Sequence, residues 1–194
     1  MTKLKLIIPL IFLVSCNSYY FPLLIETPER IINSFRTYTP GEDYIENQEY
    51  SFITVELGQQ NATLVLGSIE NNVFTWLGRD NVVFETYRGF IIKSIGLEHN
   101  FEIVDPIQSI DKLLSNGTGN IFYNFDNPRL FGLEALITRF NKTTDQVNIS
   151  LKSNDINWNV KFNVSYNSNG LAISANQTLH PFLSPAKLRF FYKY

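Results

Sequence analysis

Apolar and polar residues alternate with a period of two along most of the chain after Tyr50. The longest such run covers residues 156–166, where every second residue is apolar. Successive side chains of a β-strand point to opposite faces, so this pattern predicts a strand with one buried and one solvated face. Trp158, Val160 and Phe162 share the apolar face, and we therefore expect Trp158 to point into a core.

Shorter runs of the same kind follow one another at regular intervals. They are separated by turn residues rich in glycine and asparagine, among them the dipeptide Arg88-Gly89. Regularly spaced strands joined by short turns predict an antiparallel meander. The other predicted strands cover residues 51–57, 62–69, 73–77, 82–87, 90–97, 130–140, 147–152, 171–179 and 188–194, and strand structure is also predicted through Phe122 and Phe125.

Two segments show the features of helices. The first begins at Thr27-Pro28, where threonine can cap a helix and proline suits its first position, and it ends at Pro40-Gly41. The second begins at Asp105-Pro106, has apolar residues at helical spacing, and ends at Asn116-Gly117. Together the patterns predict a mainly β fold, an antiparallel sandwich or a partly open barrel with one or two short helices.

The N-terminus departs from this pattern. Lys3 and Lys5 precede an apolar run over residues 6–14, which is followed by Ser15-Cys16. About 20 apolar residues are needed to cross a bilayer, so the run is too short for a span and has the length of a signal-peptide core. The sequence Leu-Val-Ser-Cys resembles the lipobox of bacterial lipoproteins, in which a thiol takes up the lipid. We therefore predict a signal peptide over residues 1–15 and a palmitate-bearing lipid anchor at Cys16.

The rest of the chain is expected to be a tether over residues 16–26 and a single β-rich periplasmic domain over residues 27–194. The tether is unusually apolar, and it either lies at the lipid headgroups or packs on the domain as an edge strand. Cys16 is the only cysteine, so an intramolecular disulfide is excluded. Asn17 stands where an aspartate would favour retention in the inner membrane. The expected location is therefore the periplasmic face of the outer membrane.

The charge of the chain bears on its partners. Its formal net charge is −2, from 16 basic and 18 acidic residues, and removal of Lys3 and Lys5 with the signal peptide changes it to −4. A mildly acidic chain without a basic block is not expected to bind nucleic acid.

We interpret the six Asn-x-Ser/Thr tripeptides of the chain as by-products of an asparagine-rich composition. They begin at Asn61, Asn116, Asn141, Asn148, Asn163 and Asn176.

One stretch carries a resemblance to a known family. The string LVLGSIENNVFTWLGRDNVVFETYRGFIIKSIGL runs from Leu64 to Leu97, after Ser34-Phe35-Arg36 and well before the strand that contains Trp158. In this order and spacing the chain resembles the YjbF-type lipoproteins associated with capsule and exopolysaccharide export in Gram-negative bacteria, with a looser match over about residues 98–150. The resemblance implies a β-rich outer-membrane lipoprotein with an accessory role in polysaccharide secretion. Its implied partners are polysaccharide-export proteins or the polysaccharide, and it brings no established catalytic residues.

Residues that commonly perform catalysis are scarce. The two histidines, His99 and His180, are far apart in the sequence and both fall in predicted turns or loops. The chain contains no metal-ligand pair, nucleophile elbow or nucleotide-binding glycine pattern. We therefore expect no enzyme activity, no metal and no cofactor. A polysaccharide-modifying enzyme and a lipid or lipoprotein carrier stay open as alternatives, the first favoured by clustered carboxylates and the second by a large apolar cavity.

Trp76, Arg79 and Asp80 form the most suggestive local group. An aromatic ring beside polar side chains suits sugar binding, because the ring face packs on C–H groups while the polar groups bond hydroxyls. The alternative is that Trp76 belongs to the core and that Arg79 and Asp80 occupy a solvated turn.

Overall fold

The computed structural model describes residues 42–142 and 146–193. The predicted signal peptide, Cys16, the tether and the helix expected from Thr27 lie outside these residues. Within the described ranges, no helix is long and apolar enough to cross a membrane.

The described residues form twelve β-strands, two α-helices and one short 3-10 turn. In chain order the elements are α1 (Glu42–Asn47), β1 (Phe52–Leu57), β2 (Gln60–Glu70), β3 (Val73–Leu77), the 3-10 turn (Arg79–Asn81), β4 (Val83–Tyr87), β5 (Phe90–Ile95), β6 (Phe101–Val104), α2 (Pro106–Asn116), β7 (Thr118–Asp126), β8 (Arg129–Lys142), β9 (Gln146–Ser153), β10 (Trp158–Tyr166), β11 (Ala172–Gln177) and β12 (Ala186–Phe191).

The strands close into one antiparallel barrel. Each strand pairs with its neighbours along the chain, and β12 returns to pair with β1, so that Val55 lies opposite Leu188. The predicted mainly β, antiparallel fold is confirmed, and of the two arrangements that the sequence left open it is the barrel that forms. The join between β5 and β6 is the shortest, with Lys93 opposite Glu102 as its single registered pair among the described residues.

Strand β10 shows why this sequence forms a barrel wall. Trp158, Phe162 and Val164 are buried, Val160 is half-buried, and the residues between them face solvent or are half-exposed. Trp158 is 5% exposed, and its ring makes edge-on contacts with neighbouring aromatic rings in the core. The prediction that Trp158 points into the core is therefore confirmed.

Opposite walls of the barrel touch each other. The rings of Phe90 on β5 and Phe162 on β10 are edge-to-face, with centroids 6.1 Å apart. The side-chain amide of Gln177 on β11 accepts a bond of 2.9 Å from the backbone N–H of Ile91 and donates one of 3.0 Å to its carbonyl. Gly89 has a φ of +81°, and a Cβ there would come within 2.5 Å of the Ala172 side chain. The barrel is therefore flattened, with its interior filled by side chains at this level.

Helix α2 begins and ends where the sequence predicts. Gly117 follows it with a left-handed φ of 81°, and its N–H donates to the Leu113 carbonyl, as in a glycine-terminated helix. The start differs from expectation in one respect. Asp105 precedes Pro106, but its side chain makes no capping bond, because Asp105 itself has a left-handed backbone. The short helix α1 was not predicted, since its six residues are too few to show a helical period.

Candidate functional site

Two rows of polar side chains cross the outer surface of six neighbouring strands. The register of β2, β1, β12, β11, β10 and β9 places the members of each row directly opposite one another. The first row is Asn61, Glu56, Lys187, Asn176, Asn163 and Asn148. The second row is Thr63, Thr54, Arg189, Ser174, Ser165 and Gln146. We call these twelve residues the polar face.

Strand alternation explains why these side chains point outward. The residues between the two rows, such as Val55, Val164 and Leu188, are buried in the core, so the residues on either side of them must face away from it. An Asn-x-Ser/Thr tripeptide in a strand puts its asparagine and its hydroxyl on the same face. In this way Asn61-Ala62-Thr63 and Asn163-Val164-Ser165 each place an asparagine in the first row and a hydroxyl residue in the second row.

The tripeptides noted in the sequence are therefore concentrated in one place. Four of their six asparagines belong to the first row. Neutral amide side chains each carry donors and an acceptor. The row consequently offers a line of hydrogen-bonding groups at the spacing of neighbouring strands, about 4.8 Å.

A groove of about 320 Å³ lies across the polar face. Side chains of both rows line it, from β1 and β2 on one side to β10, β11 and β12 on the other. At its centre the ammonium group of Lys187 pairs with Glu56 at 2.8 Å, and both side chains remain partly exposed, by 62% and 32%. The groove is thus open to solvent, and its lining includes side chains that can donate and accept hydrogen bonds.

The charges around the polar face are unevenly distributed. Strands β9 to β12 contain no aspartate or glutamate, and their four charged residues are Lys152, Lys161, Lys187 and Arg189. Arg189 is exposed, and it forms no ion pair with any residue in the ranges 42–142 and 146–193. This part of the barrel is therefore positive although the chain as a whole is negative.

The structure separates Trp76 from Arg79 and Asp80. Trp76 on β3 is 0% exposed, and its indole N–H donates a 2.8 Å bond to the Thr86 hydroxyl inside the barrel. Arg79 and Asp80 lie in the exposed 3-10 turn that follows β3. The three residues therefore do not form one surface, and the ring has no exposed face on which a sugar could pack.

The two histidines meet at one end of the barrel, which their positions in the sequence did not predict. Their rings are stacked with centroids 4.8 Å apart. His180 is 1% exposed, and the backbone N–H of Phe182 donates to its Nδ1 at 3.2 Å, so the proton of the neutral ring is on Nε2. Burial, and then the neighbouring His99, lower the pKa of His180 from its ordinary 6.5 to about 4. No group of three His, Cys, Asp or Glu residues within the described ranges could hold a metal ion.

We expect the free energy of unfolding to fall as the pH decreases from 6.5 towards about 4. In this window the unfolded chain takes up a proton at His180 while the buried ring stays neutral, so the unfolded state is favoured. The contribution is fully present above pH 6.5. Denaturant unfolding near neutral pH and at about pH 5 measures the difference. His180→Phe should make that difference smaller, and an unchanged pH dependence in this variant would contradict the assignment.

Comparisons with known proteins relate the chain to a group of lipoproteins. A family model described as "Group 4 capsule polysaccharide lipoprotein gfcB, YjbF" matches residues 29–189. Among solved structures, the hypothetical lipoprotein YmcC from Escherichia coli (K12) is similar, with a TM-score of 0.60 and 19% sequence identity. That match covers 78% of this chain and 88% of the other, and at this identity it shows the fold alone. No curated protein gives a significant match.

Proposed function

Because the chain belongs to the YjbF family of group 4 capsule polysaccharide lipoproteins, we propose that it is a non-catalytic accessory protein of capsule or exopolysaccharide secretion. In this proposal a lipid on Cys16 anchors it to the outer membrane, with the barrel in the periplasm. The barrel holds or guides the polysaccharide through the polar face and makes or breaks no covalent bond in it.

The observation that carries the proposal is the polar face. Polysaccharides present many hydroxyl groups, and the amide and hydroxyl side chains of the two rows can both donate to and accept from them. The spacing of neighbouring strands, about 4.8 Å, is close to the length of one sugar in an extended chain. A groove bordered by such rows can therefore follow a polymer over several sugars.

The anchor and the tether support the proposed location. Residues 17–26 can reach about 33 Å when extended, so this tether keeps residue 27 within that distance of the membrane through which the polymer leaves. Export components in that membrane are the proposed protein partners. A lipid carrier would need an apolar cavity between the walls of the barrel, whereas Phe90 and Phe162 of opposite walls are in contact.

The double variant Asn163→Ala/Asn176→Ala tests the proposed role of the polar face. These two asparagines lie opposite each other on β10 and β11 and point away from the core, so the barrel should fold normally. We expect the amount of polysaccharide on the cell surface to fall severalfold when this variant replaces the natural protein in its host. Quantification of surface polysaccharide, with immunoblots of the protein in the membrane fraction, measures the effect.

The matched control is Asn120→Ala, which changes an exposed asparagine on β7, outside the polar face. We expect this variant to leave surface polysaccharide unchanged. A deletion of the whole gene sets the largest possible effect. Normal polysaccharide in the deletion strain would refute the accessory role, and normal polysaccharide in the double variant alone would refute the role of the polar face.

A further inference from the structure

We infer that the polymer recognised by the polar face is an anionic polysaccharide, and that Arg189 binds its carboxylate or phosphate groups. The inference rests on the proposed function and names the chemical class of its ligand. Its basis is the placement of charge on the barrel, together with the surroundings of Arg189.

The charges on strands β9 to β12 differ from those on the rest of the barrel. All four charged residues of β9 to β12 are basic. Glu56 on β1 is the one carboxylate within the two rows of the polar face. From β3 to β8, in contrast, seven basic residues are accompanied by eight carboxylates. The carboxylates are Asp80, Glu85, Glu98, Glu102, Asp105, Asp111, Asp126 and Glu134. A surface whose charged residues on four neighbouring strands are all basic is complementary to a negatively charged partner.

Arg189 is the cation best placed to contact such a partner. It stands between Thr54 on β1 and Ser174 on β11, whose hydroxyls lie in the same row. A guanidinium can bind a carboxylate or a phosphate through two parallel hydrogen bonds, and the hydroxyls beside it can bond to the same sugar. Its lack of an ion pair within the described ranges leaves the guanidinium open to a ligand there.

Lys187 is in a different state. Glu56 holds its ammonium group at 2.8 Å, so an anionic ligand must compete with that carboxylate. Lys187 is therefore the weaker of the two contacts in the natural protein. Removing the charge of Glu56 should release Lys187 and strengthen binding of an anion, whereas removing the charge of Arg189 should weaken it.

The neutral members of the polar face indicate a sugar polymer and not another polyanion. Nine of the twelve residues are asparagine, glutamine, serine or threonine, which bond to hydroxyls and do not require a charge on the ligand. A surface for a densely charged polymer would carry more cations. Few cations among many neutral hydrogen-bonding groups match an acidic polysaccharide, because each acidic sugar carries hydroxyls beside its one charge.

Two forms of one polymer test the inference. The full-length lipoprotein in detergent is titrated calorimetrically with polygalacturonate and with its methyl ester, which has the same backbone without the charge. We expect polygalacturonate to bind about tenfold more tightly than the ester, as a charge-assisted contact should allow. Arg189→Gln should remove about this tenfold difference between the two polymers. Glu56→Gln should strengthen binding of polygalacturonate.

Arg79→Gln is the control, since Arg79 is an exposed arginine in the turn after β3 and is not one of the twelve residues of the polar face. It should bind like the natural protein, and thermal unfolding checks that all variants are folded. Equal binding of the two polymers, an unaffected Arg189→Gln variant, or no binding of polygalacturonate would overturn the inference. Equally tight binding of poly-L-glutamate would also overturn it, because the surface would then select charge without sugar. None of these results decides the proposed function, which the measurement of surface polysaccharide tests separately.

Discussion

Trp158→Ala should lower the free energy of unfolding by about 3–5 kcal/mol, the range found when large buried aromatic side chains are removed. Trp158 is almost fully buried, and its ring stands edge-on to Tyr123 at 5.3 Å and to Phe125 at 5.8 Å between centroids. The change would leave a cavity in the core between β7 and β10, and it would remove both aromatic contacts. The indole N–H has no hydrogen-bond partner within the described ranges, so the expected loss comes from packing alone.

Equilibrium unfolding in urea, at constant pH, measures this effect. Asn159→Ala changes the next residue of the same strand, whose side chain is exposed, and should change stability by no more than about 0.5 kcal/mol. Trp158→Phe keeps an aromatic ring in the cavity and should fall between the two. A loss below about 1 kcal/mol for Trp158→Ala would mean that this face of β10 does not pack in a core.

The strands could be predicted because each of them carries its own period-two pattern. In β10 the alternation of Trp158, Phe162 and Val164 with polar residues is set by local sequence, and burial follows it. Closure of the barrel could not be predicted in the same way. The pairing of β1 with β12 depends on the twist and stagger summed over all twelve strands, and no short stretch of sequence records that sum.

The candidate site shows the same division between local and long-range information. Trp76, Arg79 and Asp80 stand out because they are close in sequence, yet Trp76 points into the barrel, whereas Arg79 and Asp80 lie in the exposed turn that follows the end of β3. The polar face consists of residues from six strands, and His99 meets His180 across the fold. Only the register between strands brings these groups together.

One signal in the sequence could have pointed to the polar face. Asn-x-Ser/Thr tripeptides have the period of a strand, so several of them within predicted strands indicate outward pairs of amide and hydroxyl groups. Asn61, Asn148 and Asn163 each begin such a tripeptide inside a strand. An interpretation of these tripeptides as composition alone does not consider which side of its strand each asparagine faces. It therefore misses that these asparagines share one face of the barrel.

Cys16→Ser should abolish membrane anchoring altogether, which is the largest functional effect that we expect. The hydroxyl of serine is a much weaker nucleophile than a thiolate, so no diacylglyceryl group should be added and the precursor should not be cleaved before residue 16. Labelling with radioactive palmitate, followed by immunoprecipitation, measures the lipid. The natural protein should incorporate label and Cys16→Ser should not. Palmitate on the serine variant would show that the lipid is attached elsewhere.

Asn17→Asp tests which membrane holds the protein while the lipid attachment at Cys16 stays the same. Aspartate after the lipidated cysteine favours retention in the inner membrane, and Asn17 has nearly the same shape without the charge. We expect the natural protein to co-sediment with outer-membrane markers on a sucrose gradient and Asn17→Asp to shift towards the inner-membrane fraction, with palmitate labelling equal in both. Two or three acyl chains anchor stably where one is marginal, so neither protein should be released as a soluble species. If the natural protein sediments with the inner membrane, the polar face cannot meet the polymer at the outer membrane and the proposed location is wrong.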